Sequence, residues 1–89
     1  MELSIEEDKD TRLVFEISGV SHTFCNALKD EIANVDDVVV STYDKKHPQV
    51  GNPRFFVETE EDDPRDAIDE AVTNLKEKNE EFLENYQSI

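Results

Sequence analysis

The sequence predicts a small α+β domain with the element order β-β-α-β-β-α, and three observations carry that prediction. Runs of β-branched and aromatic residues stand at Leu13–Ile17, Val38–Tyr43 and Phe55–Thr59, each bounded by turn-forming residues. Two other stretches, one after Gly19 and one after Pro64, carry apolar residues at helical spacing. The chain has 89 residues, enough for one hydrophobic core and no more. The expected architecture is a single domain over residues 1–89, a four-stranded, mainly antiparallel sheet with two helices.

Leu3 to Glu7 alternates apolar and polar residues, and Leu13-Val-Phe-Glu-Ile17 is rich in strand formers. Asp8-Lys-Asp10 lies between them, so the two runs read as a hairpin. Gly19 ends the second strand. Ser21 or Thr23 can cap a helix that runs to about Asn34, itself a plausible stop. Phe24, Ala27, Leu28 and Ile32 fall on one face of that helix. Val38 to Tyr43 is a third strand. His47-Pro48 and Gly51-Asn52-Pro53 then form a loop, where proline forbids a helix. Phe55 to Thr59 is the fourth strand. Pro64 opens the last helix, behind two aspartates that can cap it.

That helix, Pro64 to Tyr86, would be about 34 Å long, whereas a compact chain of this size has a radius of gyration of about 12 Å. It should overhang its own domain. Ile68, Leu75, Phe82 and Ile89 recur every seven residues, with Val72 and Tyr86 between them. Asn79 interrupts this seam, as a register-fixing polar residue does in a coiled coil. The first half of the seam can pack on the domain's own sheet. The distal half, from Phe82 onward, is expected to meet a foreign surface, which makes this a protein-binding helix.

Composition narrows the function. Twenty-three acidic against nine basic residues give a net charge of −14, which repels phosphates and argues against direct nucleic-acid binding. The acidity is spread along the chain rather than concentrated, and there are only six lysines. An even spread fits a solvated surface or a nucleic-acid mimic less well than adaptation to molar salt, where screening tolerates self-repulsion. A halophilic source is expected. Only 36% of residues are hydrophobic, so a partner that covers apolar surface would stabilise the fold. The lone Cys25 excludes an internal disulfide and fits a reducing compartment. With no membrane-length apolar run and no signal-like start, a cytoplasmic, membrane-free protein is expected.

Catalysis has little support. His22 and Cys25 lie three residues apart near a helix start, where a thiolate is favoured, but no third orienting group is apparent. His22, Cys25 and His47 lack paired metal-ligand spacing, and two glycines in all leave no phosphate-binding loop. No cofactor is expected. His22 and Thr23 read instead as satisfying backbone groups at the helix start, and Cys25 as a small core residue.

The segment Ser21-His-Thr-Phe-Cys-Asn-Ala-Leu28, then Val38–Tyr43 leading to Lys45-Lys-His-Pro48, then Arg54–Thr59 leading to Asp63-Pro-Arg-Asp-Ala-Ile68, resembles the small alpha-like subunit family of archaeal RNA polymerase, called L, and its eukaryotic counterparts. The opening motif is also similar to the His-Thr-Leu-Gly-Asn segment of bacterial polymerase alpha. The resemblance spans roughly Leu13 to Phe82. It places the family motif on His22, Thr23, Phe24, Asn26 and Leu28, the loop motif on Tyr43, His47 and Pro48, and the helix motif on Pro64, Ala67, Ile68, Ala71 and Leu75. Cys25 departs from it, standing where the family commonly has Gly.

The resemblance implies an alpha-type dimerisation fold and a non-catalytic subunit of DNA-directed RNA polymerase. Such a protein pairs with the larger alpha-like polypeptide of the enzyme (called D in archaea), then with small subunits N and P and the large catalytic subunits. Phe24, Leu28, Ile32, Ile68, Val72, Leu75, Asn79, Phe82 and Tyr86 are the expected interface. A stand-alone acidic regulator or homodimeric module would use the same seam without D, and a small thiol enzyme would depend on Cys25.

Overall fold

The computed structural model describes residues 2–45 and 51–87, with the side chains of Phe82 and Tyr86 excepted. Six elements follow in the expected order: β1 (Glu2–Lys9), β2 (Arg12–Ser18), α1 (His22–Ala33), β3 (Val38–Lys45), β4 (Pro53–Thr59) and α2 (Pro64–Gln87). The strands form one fully antiparallel sheet in the order β1-β2-β4-β3. β4 therefore enters between β2 and β3, and α1 carries the chain across it.

Local chemistry sets the boundaries. Gly19, at φ 74°, makes the turn out of β2 that a residue with a side chain would resist. Ser21 is the cap of α1, its Oγ accepting the Phe24 N–H at 3.1 Å. Asn34 closes the helix, its N–H donating back to the last-turn carbonyls. Asp63 Oδ1 accepts the Arg65 N–H at 3.0 Å, and Pro64 takes the first helical position, where no N–H is needed. Pro53, expected in the loop, is instead the first residue of β4, a place where a strand tolerates proline.

The core lies between the sheet and the two helices. Leu13, Phe15 and Ile17 of β2 and Phe55 and Val57 of β4 face Cys25, Leu28 and Ile32 of α1 and Ala71 of α2. Phe15 and Phe55 stack at 5.2 Å, and Tyr43 stacks on the other side of Phe55 at the same distance. On the opposite face Val14 is also buried. Phe56 lies under the Arg54 guanidinium at 5.1 Å, which Glu6 and Asp44 flank at 3.7 Å each. Charged side chains thus roof the open face.

The molecule measures 45 × 35 × 18 Å, with a radius of gyration of 14.1 Å. The short axis is one sheet plus one helix layer. The excess over the roughly 12 Å of a compact chain reflects a flat body with a long helix.

Candidate functional site

α2 approaches the domain through alanines. Ala67 and Ala71, one turn apart, are buried at 5% and 0% exposure. Small side chains let the helix lie close, and they leave its larger residues on the flank. Ile68 still packs against the core and Leu75 is half-buried, but Val72 is 48% exposed. Leu83, three turns beyond Val72, is equally open at 48%. A strict heptad passes over Leu83, because a straight helix repeats nearer 3.6 than 3.5 residues and drifts off a seven-residue seam.

Beside this stripe lies α1. A groove of about 740 Å³ runs between the helices, lined by Ser21, Thr23, Phe24 and Ala27 on one side and Val72, Leu75 and Asn79 on the other, with Lys76 and Lys78 at its margin. Phe24, Val72, Leu75 and Asn79 of the expected interface border it. Ile68 lies one turn before Val72. The side chains of Phe82 and Tyr86, and all of His47, Pro48 and Ile89, fall outside the described residues. Leu28 and Ile32 are a correction. Their exposure is 3% and 0%, so the domain's own sheet consumes that part of the α1 face and they offer nothing to a partner.

The motif residues His22, Asn26 and Tyr43 converge at the head of α1. His22 Nδ1 lies 2.5 Å from the Tyr43 hydroxyl, and His22 Nε2 lies 3.0 Å from Asn26 Nδ2. For Nε2 to accept from the amide, the ring proton must sit on Nδ1 and be donated to Tyr43. Desolvation, and then the nearby Cys25, hold the Tyr43 phenol above its ordinary pKa, so it stays neutral. This corrects the expectation that His22 serves backbone groups: Ser21 does that, while His22 fastens α1 to β3.

Cys25 is fully buried, and desolvation raises its thiol pKa against a weaker opposite pull from Lys45. That environment disfavours the thiolate a nucleophile requires. Among the described residues no group of three His, Cys, Asp or Glu side chains is arranged to hold a metal.

Two acidic residues have structural work that composition hides. Glu31 is buried at 7% exposure and pairs with Lys78 of α2, joining the two helices beside the groove. Asp37 Oδ2 accepts the N–H groups of Glu61 and Asp62 at 3.1 and 2.7 Å, and its carbonyl accepts that of Glu60. It thereby clasps the loop that leads into α2. Neither partner is close in sequence, so no local pattern announces the pairings. Lys78→Ala leaves Glu31 without its cation. It is expected to lower the stability of the isolated chain by about 1–3 kcal/mol, less than for a fully buried pair because Lys78 is largely exposed. Urea denaturation would measure it, and Glu31→Gln in the same background should recover part of the loss.

Comparison with known proteins agrees with this geometry. Residues 12–85 match the model of the RNA polymerase Rpb3/Rpb11 dimerisation domain. DNA-directed RNA polymerase subunit Rpo11 of Methanococcoides burtonii is 40% identical over 83 residues, covering 93% of this chain and 91% of that protein. The protein of the same description from Halorubrum lacusprofundi is 38% identical over 81 residues, 88% of each chain. The crystal structure of DNA-directed RNA polymerase subunit L from Thermoplasma acidophilum superposes with a TM-score of 0.88 at 26% identity, over 98% of this chain and 86% of that one. The α+β sheet, the paired helices and the span of these matches lead to one conclusion: the chain belongs to the RNA polymerase Rpb3/Rpb11 dimerisation domain family, as a non-catalytic subunit of DNA-directed RNA polymerase.

Proposed function

We propose that the chain heterodimerises with the larger alpha-like polypeptide of the polymerase, the one called D in archaea, by seating that protein's helices in the groove between α1 and α2. The observation that carries this reading is the apolar stripe of Phe24, Ala27, Val72 and Leu75, open along the groove and continued by exposed Leu83. Helix-in-groove burial of such a stripe supplies affinity, and the covered surface stabilises a marginal domain by mass action. The composite surface then receives small subunits N and P and the large catalytic subunits, which hold the chemistry and the nucleic acid. The site of action is the cytoplasm.

Mixing the purified chain with D tests this. A one-to-one complex by light scattering, with a melting temperature well above that of either chain, is the expected result. A chain that forms its own stable dimer and whose melting temperature D does not move would overturn the reading in favour of a homodimeric module.

The net charge of −14 supports a halophilic setting. Thermal stability should climb steeply as KCl rises from tens of millimolar to molar, because added salt screens self-repulsion. A flat curve would remove the salt-adaptation reading and leave the heterodimer untouched.

A further inference from the structure

On the side of α2 that faces β1 lies a second apolar surface, which the interhelical groove does not include. β1 is an edge strand, paired only with β2. Leu3 and Ile5 stand opposite Ile17 and Phe15, and so point to the helix side of the sheet. No helix covers them: Leu3 is 58% and Ile5 42% exposed. With Leu13, Phe15 and Ile68 they line a groove of about 290 Å³, walled by Arg65 and Asp69. Past Ile5 the register shifts at a bulge around Glu6, and Asp8 pairs with Arg65 at 2.6 Å, closing that end. Bulges and charges are the devices by which sheets blunt an edge. Here they protect residues 6–9 and leave residues 2–5 open.

We propose that this half of β1, with the flank of α2, docks an extended, basic segment of a partner protein as a fifth strand. Three features select that occupant. An added strand places alternate side chains on one face at the same two-residue period as Leu3 and Ile5, and so fills the groove while its backbone pairs with the open edge. An α-helix, about 10 Å across, is bulkier than a strand and suits the interhelical groove of about 740 Å³ better than this one of about 290 Å³. Glu2 has no basic partner among the described residues and, alternating with Leu3, lies on the sheet face away from the groove, where a strand with its apolar residues in the groove places its polar ones; the chain as a whole is strongly acidic. Cations on the incoming segment complement that acidity. A second copy of this chain would instead bring the acidic edge residue Glu2 against acidic residues of the same edge.

The probe is a fluorescein-labelled octapeptide alternating Val and Lys, titrated into the full chain. Amide shifts should concentrate at residues 2–5 and around Ile68. Leu3→Thr with Ile5→Thr, which keeps strand preference while trimming the apolar face, should weaken binding about 10-fold. Val72→Asp should leave it unchanged, separating this site from the heterodimer groove. A Val/Glu peptide should bind at least about 10-fold more weakly. Absence of binding, equal affinity for the double variant, shifts confined to the interhelical groove, loss on Val72→Asp, or equal affinity for the acidic peptide would each overturn the proposal. So would a self-dimer in sedimentation equilibrium that the double variant dissolves, which would assign the edge to a second copy.

Discussion

Val72→Asp is expected to weaken the proposed association with the larger alpha-like polypeptide by more than about 100-fold, or about 2.7 kcal/mol, while the isolated chain keeps its fold. Val72 sits in the interhelical groove and is 48% exposed in the free chain, so the carboxylate is solvated there at little cost. In the complex the same carboxylate would leave water at the apolar centre of the groove, and even with Lys76 one turn away at the margin that loss of solvation costs several kcal/mol. Leu83→Asp should act in the same direction, since Leu83 extends the stripe. Glu77→Ala, at an exposed position away from the groove, is the control. Co-purification from a common expression host, with circular dichroism of the isolated variants, reads both quantities. If Val72→Asp binds D as the parent does, the partner sits elsewhere.

The opposite pattern is expected for Phe55→Ala, which attacks the fold itself. Phe55 is wholly buried, sandwiched between Phe15 and Tyr43 at 5.2 Å on either side. Emptying such a site costs about 3–5 kcal/mol in transfer and cavity terms. A domain of this length has about 4–13 kcal/mol in all. The loss also travels outward, because Tyr43 holds His22 and His22 holds the head of α1. The melting temperature should fall by more than about 12 °C, and partner binding should fail with it. A urea midpoint implying less than about 1 kcal/mol would show that the ring stack is incidental to the core.

These two residues mark how far the sequence could be read. All six elements were legible, since β-branched runs, Ser21, Asn34 and Pro64 are local signals. The insertion of β4 between β2 and β3 was not, because pairing partners leave no trace in the spacing of either strand. At the candidate site, Phe24, Val72, Leu75 and Asn79 were found from periodicity. Leu28 and Ile32 carry the same spacing but face the sheet, a choice that depends on how the helix rolls in the fold. Ala67 and Ala71 show why roll is hard to foresee: periodicity weighs large apolar residues, whereas close approach selects small ones. Glu31 was lost in an abundance of acids, and only Lys78, 47 residues away, makes it distinctive.

Asp37 has a consequence out of proportion to its size. Its carboxylate and carbonyl hold Glu60, Glu61 and Asp62 at the foot of α2, and the helix above them runs for 24 residues, about 36 Å. That makes the clasp a pivot and the helix a lever arm. A tilt of about 10° at the foot swings the far end by about 6 Å, more than a full turn of helix rises. One residue in the loop before β3, acting with buried Ala67 and Ala71 and the Glu31–Lys78 pair farther along, thus helps set the aim of a rod whose tip lies far from it.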